Sequence, residues 1–240
     1  MAPFGASRAG LMSVAADDIP DSGLTHDYDA RALDLSDSDT VDPFTDNFAD
    51  KDLSAVGSPT YLTDQIGDQP VASYDGDGDG HEDDGPVEVG SNDEFMFAFV
   101  VVPQSDTDDN GTMIANFQEG EYGFAFGTDE SEWRAASEGE VAFTVGSLTL
   151  NDPHAGIFGF DGSNLILEIG EEQLVNESVG TDPRDESGFS VGFDGPRSQW
   201  HSDCQIGHVR PHDEMFGSDD RAEYINALED SWGFTTPDPT

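Results

Sequence analysis

Residues 95–102 read Phe-Met-Phe-Ala-Phe-Val-Val-Val, an unbroken apolar run rich in aromatic and β-branched side chains, closed by Pro103 and an Asp-rich loop to Gly111. A strand with one wet face alternates apolar and polar residues, and this run does not alternate. It predicts a central strand buried on both faces, and the rest of the fold has to supply two apolar covers for it. Around it, Thr112–Phe117, Tyr122–Phe126, Val141–Val145, Leu165–Ile169 and Phe189–Phe193 form shorter apolar runs separated by clusters of Gly, Asp, Asn, Ser and Pro. In several of them large residues alternate with small or polar ones, as expected of antiparallel strands with one face on a core. One helix is predicted near the end. Ser218 reads as its N-cap, Asp219 and Asp220 suit the positive end of its dipole, Ile225, Leu228 and Trp232 share a face, and Gly233 stops it.

The 240 residues suffice for one all-β domain. Residues 1–22 read as an N-terminal arm with no clear period, 23–233 as the sandwich and 234–240 as a C-terminal tail. Arg8 lies too far in, and the apolar stretch after it is too weak, for a cleaved export signal. No segment approaches the roughly 18 apolar residues that a membrane span needs, so no membrane insertion is expected.

Charge bears on where such a fold is stable. Against 52 Asp and Glu stand 8 Lys and Arg, Lys51 being the lone lysine, for a formal net charge of -44. In dilute buffer such a shell repels itself; in molar salt the Debye length shrinks to about 3 Å and the repulsion is screened. The composition therefore points to a very salty environment and argues against nucleic acid or an anionic membrane as partner. The acids are interleaved with strand-like runs, which separates the chain from a disordered acidic tail. Cys204 is the one cysteine, so no disulfide forms within the chain, and it is expected to be a small core residue.

Four stretches in order resemble the laminin G-like, concanavalin A-like domains of prokaryotic and viral surface proteins. They are Leu24 to Leu33 (LTHDYDARAL), Gly57 to Gly76 (GSPTYLTDQIGDQPVASYDG), Glu94 to Val102 followed by Gly111 to Asn116, and Ile206 to Val209 followed by the Ser218 to Gly233 helix. The resemblance implies an all-β, concanavalin A-like (laminin G-like) antiparallel β-sandwich, or jelly roll, with one short C-terminal helix and an extended N-terminal arm. In the arm, Gly5 to Met12 (GASRAGLM) resembles the start of virion proteins of tailed viruses infecting haloarchaea. That second resemblance implies a virion structural protein, assembled in a haloarchaeal host and exposed to salty medium on a tail, baseplate, fibre or capsid surface. Phe4, Arg8, Leu11 and Met12 would then dock the arm onto other virion proteins, copies of the chain would associate, and the lectin-like domain would meet host surface glycans. A purely architectural turret, decoration or spacer is the alternative, and a cellular surface protein or glycan-active enzyme the third reading.

Candidate site residues follow from chemistry. Asp75, Asp77 and Asp79 with Gly80 match the start of a calcium loop, with Asp83 as a further ligand, although position 12 falls on Pro86. Calcium binding and a solvated acidic turn are both compatible with that string. Trp133 and Trp200, each with polar neighbours, are candidate sugar-stacking platforms. His201, Asp203, Cys204, His208 and His212 cluster in sequence, but strand alternation over Gln205–Arg210 would set Ile206 and His208 on one face and Gly207 and Val209 on the other, which does not converge them. No E-x-D-x-x-E, P-loop or H-E-x-x-H string occurs, so the sequence reads as a binding or assembling protein and not an enzyme.

Overall fold

A computed structural model describes residues 19–83, 94–105, 111–118, 121–137, 141–179, 188–193 and 201–239. In chain order the strands are β1 (Tyr28–Asp29), β2 (Ser54–Val56), β3 (Thr60–Ile66), β4 (Gln69–Asp75), β5 (Gly80–Asp83), β6 (Phe95–Pro103), β7 (Thr112–Gln118) and β8 (Glu121–Asp129). They continue as β9 (Glu132–Ser137), β10 (Val141–Val145), β11 (His154–Phe160), β12 (Asn164–Ile169), β13 (Glu172–Ser178), β14 (Gly188–Val191) and β15 (Asp203–His212), followed by helix α1 (Ser218–Trp232). Two antiparallel sheets result. One runs β13-β12-β11-β6-β15-β4-β3 with β1 added on β15, and the other β10-β9-β8-β7-β14-β5-β2. This is the expected concanavalin A-like sandwich with one C-terminal helix.

Strand β6 lies in the middle of the first sheet, between β11 and β15, and its alternate residues serve two cores. Phe95, Phe97, Phe99 and Val101 point between the sheets, where they meet Phe124, Phe126, Trp133 and Phe189. Met96, Ala98, Val100 and Val102 point the other way, against Ile225, Leu228 and Trp232 of α1. The uninterrupted apolar run is thus explained by a sheet above and a helix below. Each such large side chain contributes about 1.5–3 kcal/mol by leaving water.

The helix departs from its expected start by one residue. Gly217 is the N-cap and makes no side-chain capping bond, while Ser218 is already helical. Gly233 ends the helix in the left-handed region (φ 72°, ψ 34°), its N–H bonding to the Glu229 carbonyl at 2.8 Å, as expected of a C-terminal glycine.

A second departure changes which side chains share a face. The register of β15 on β6 slips between Ile206 and His208, so that Gly207 is the extra residue of a bulge. Ile206 and Val209 both enter the inter-sheet core, whereas His208 lies toward α1, its ring 6.3 Å from that of Trp232. Simple alternation had paired Ile206 with His208; the bulge separates them. Glycine is required there because a Cβ would sit 2.7 Å from the Trp232 ring.

Residues 19–22, read from sequence with the arm, are bound to the sandwich. Ile19 packs under α1, the Pro20 carbonyl accepts from Arg210 at 3.3 Å, and Ser22 donates to Glu214 at 2.6 Å. At the other end Ser147 N–H donates to the Pro239 carbonyl and Ala155 N–H to Thr236 Oγ1 (2.8 and 2.9 Å), so the tail is also docked. Among the described residues no helix is long and apolar enough to cross a membrane.

Candidate functional site

The acidic turn does not gather its carboxylates. Asp75 Oδ1 accepts from the Asp77 amide (2.8 Å), Asp79 Oδ1 turns to the Ser58 amide across the loop (2.6 Å), and Asp83 ends β5 opposite Phe189. Among the described residues no three His, Cys, Asp or Glu side chains form a group able to hold a metal ion. Two members of the set thus cap backbone amides through one carboxylate oxygen each. The histidines and Cys204 do not converge either. Cys204 is fully buried, and burial pushes its thiol up to about 12.

Trp133 requires correction as a sugar platform. It is wholly buried, stacked on Phe126 at 5.6 Å and met edge-on by His154 at 4.9 Å. Its polar sequence neighbours mislead because Arg134 and Glu132 point to the opposite face of β9, which alternation requires. Trp200, Phe4, Arg8, Leu11 and Met12 lie outside the described residues.

The densest polar constellation joins the N-terminal segment to β15 and α1. Asp27 accepts from His208 Nε2 at 2.6 Å and from Arg210 Nε at 3.2 Å, and Arg210 also holds Asp21. Arg210 Nη1 donates to the Tyr224 hydroxyl at 2.7 Å. Next to this, Arg31 grips Asp29 through two nitrogens and lays its guanidinium 4.5 Å from the Trp232 ring. Burial works to raise Asp27, but the His208 and Arg210 hydrogen bonds and charges outweigh it and hold the carboxyl below its usual range. Sequence reading passed over this network; the scarcity of basic residues was the available signal, since each arginine in so acidic a chain calls for a partner.

Two histidines are satisfied only when neutral. His212 Nδ1 donates to the Ser22 carbonyl (2.7 Å) and Nε2 accepts from Tyr224 (3.0 Å); His81 Nε2 donates to the Val41 carbonyl and Nδ1 accepts from Tyr74 (both 2.9 Å). These tautomers follow from the partners. Burial lowers both to about 4. Since the unfolded value is about 6.5, their contribution is complete above that pH and is lost as pH falls toward 4. We expect the denaturant midpoint, at constant molar salt, to fall between pH 7 and pH 5.5 by the equivalent of about 1 kcal/mol per histidine. A midpoint that does not move over that interval would contradict this.

The outer face of the second sheet carries a row of small side chains: Ala142, Ala136, Ala125, Ala115 and Ser190 are successive cross-strand partners. Ala136, Ala125 and Ala115 are buried, so this stretch offers no exposed ring. A cleft of about 270 Å³ between the β12–β13 turn and the tail is lined by Glu171, Glu172, Glu229 and Asp238 among others, again without an aromatic.

The exposed aromatic is elsewhere. Phe48, 57% exposed, is the single large hydrophobic residue so presented among the described residues. It tops a loop closed by reciprocal backbone bonds between the buried Phe44 and Leu53 (both 3.0 Å). Inside the loop the buried Asp46 carboxylate accepts from the amides of Asp27 (3.0 Å), Phe48 (2.9 Å), Ala49 (3.1 Å) and Lys51 (3.2 Å) and from His26 Nδ1 (2.7 Å). Those bonds outweigh the effect of burial and hold Asp46 below the usual carboxylate range. Sequence reading missed the loop because a Phe in an Asp-rich turn looks like any other half-buried loop residue.

These two sheets define a β-sandwich of the lectin-like, jelly-roll class. No protein-family model and no curated protein matches the chain. Solved structures do match its fold. Trypanosoma rangeli sialidase in complex with sialic acid superposes with a TM-score of 0.68 at 13% identity, over 88% of this chain and 34% of that one. Domain 4 of AbnA, a GH43 extracellular arabinanase from Geobacillus stearothermophilus, in complex with arabinotriose, matches with a TM-score of 0.59 at 14% identity, over 85% of this chain and 98% of that domain. The botulinum neurotoxin serotype D binding domain matches with a TM-score of 0.61 at 10% identity, over 86% and 51%. The chain spans about a third of the length of the sialidases it matches. The exclusion of enzymatic activity drawn from missing short motifs is corrected by these matches: sialidases and an arabinanase domain share this fold, so absent strings do not exclude a glycan-acting enzyme.

Proposed function

We propose that this chain is a glycan-binding, laminin G-like sandwich displayed in several copies on the surface of a haloarchaeal virus particle. The glycan part rests on one observation above the others, the match over 98% of a single arabinanase domain solved in complex with arabinotriose. A fold match at that identity carries architecture, and function is a property of the site. The particle part rests on the charge of -44, suited to brine, and on the Gly5 to Met12 string. Display in many copies would make weak sugar contacts effective, since linked sites engage one surface at high effective concentration. A second reading, a module within a glycan-acting enzyme, is favoured by the sialidase matches, in which the sandwich is one part of a longer chain.

Titrating the protein in molar KCl with neutral oligosaccharides and with haloarchaeal surface polysaccharide tests both. Binding is the expected result, and release of new reducing ends separates the enzyme module from a domain that only binds. No binding to any of these would remove the proposal.

A further inference from the structure

We propose that the loop from Phe44 to Leu53 is a sugar-binding site that takes one neutral sugar ring, stacked on Phe48, with the exposed Asp50 and Lys51 as partners for its hydroxyls. This deepens the glycan-binding reading and rests on it. Three observations carry the assignment.

The first is the isolation of the ring. A Phe side chain offers on the order of 150–250 Å². That suits the apolar C–H face of a single sugar ring and falls far short of the roughly 800 Å² per partner of a stable protein interface. Among the described residues no other large hydrophobic residue is exposed, so Phe48 forms no larger patch with them.

The second is rigidity. The Asp46 carboxylate pins the Phe48, Ala49 and Lys51 amides, Asn47 N–H is bonded to the Asp27 carbonyl (2.8 Å), and the Lys51 carbonyl accepts from the Tyr28 hydroxyl (2.8 Å). The loop is thus ordered before any ligand arrives, and the entropy cost of binding falls mainly on the sugar.

The third is charge. Lys51 stands between Asp50 and Asp52, all three exposed, in a chain of net charge -44. The loop therefore has no net positive field for an anionic sugar, and in molar salt such an attraction would be screened beyond about 3 Å. Stacking and short hydrogen bonds survive in brine, and salts that strengthen apolar burial favour the contact.

The test uses the full chain in molar KCl with arabinotriose and maltotriose as neutral probes and sialic acid as the anionic one. Phe48→Ala should weaken neutral-sugar binding by about tenfold or more, corresponding to about 1.4 kcal/mol. Phe48→Trp should retain or improve it. Because the side chain is exposed, neither variant should shift the melting temperature or the oligomeric state. Equal binding by wild type and Phe48→Ala would overturn the site while leaving the glycan-binding reading intact. Tighter binding of sialic acid than of either neutral probe would overturn the sugar class. Dissociation of an oligomer in Phe48→Ala would identify Phe48 as a protein anchor and overturn the proposal. If wild type binds none of the probes, this site is overturned, while the glycan-binding reading falls only if the surface polysaccharide also fails to bind.

Discussion

Exchange from molar KCl into about 0.1 M salt is expected to unfold this protein at room temperature, as the Debye length grows from about 3 to about 10 Å. The net charge of -44 is only part of the reason. Among the described residues, arginines that could relieve repulsion on the surface are used inside: Arg31 is held by Asp29, Arg210 by Asp27 and Asp21, and Arg221 by Glu168. Among the described residues Lys51 alone is an exposed Lys or Arg, so their surface is even more uniformly acidic than the composition states. A domain of this size is stabilised by only about 5–15 kcal/mol, which uncompensated repulsion on this scale can exhaust. Circular dichroism along a salt titration measures the transition. A neutral osmolyte such as sucrose, which favours compact states by exclusion and does not screen, should fail to replace KCl. Retention of the fold in dilute buffer, or equal protection by sucrose, would show that screening is not the controlling term.

Glu168→Ala should cost about 3–5 kcal/mol, because it strands the Arg221 guanidinium in a buried position. Arg221 Nε and Nη2 donate to the two Glu168 oxygens (3.0 and 2.6 Å), and Nη1 donates to the Phe216 carbonyl (2.7 Å). Both side chains are about nine-tenths buried, at 7% and 11% exposure. The pair fixes the first turn of α1 to β12, and α1 in turn covers one face of β6, so the loss should appear as global destabilisation. Replacing both partners, Glu168→Leu with Arg221→Met, should recover most of the loss, since no charge is then left without a partner. Denaturant unfolding in molar salt reads both effects. A cost below about 1 kcal/mol for Glu168→Ala would mean that water reaches the guanidinium.

Much of the architecture was legible in the sequence. The apolar run of β6, the alternation of β7, β8 and β10 and the Ile225, Leu228, Trp232 stripe are local patterns, and local periodicity is set by which faces are buried. The resemblance of four ordered stretches to laminin G-like domains added the sandwich class that periodicity lacks. The candidate sites were less legible. Trp133 looked available because its neighbours are polar, yet alternation along β9 sends it inward. The calcium-like spacing of Asp75, Asp77 and Asp79 matched a linear pattern, but the turn directs Asp79 to the Ser58 amide.

The sequence by itself determined the doubly buried strand, the closing helix and the acidic charge behind the expected salt dependence, because burial periodicity and net charge are properties of the chain. Tertiary structure alone decided the rest. The Gly207 bulge reverses the faces of His208 and Val209, the arginines turn inward to particular carboxylates, and Asp46 holds Phe48 outward. Each of these depends on residues distant in sequence meeting within hydrogen-bond or van der Waals range, and such meetings are settled only when the two sheets and α1 close on β6.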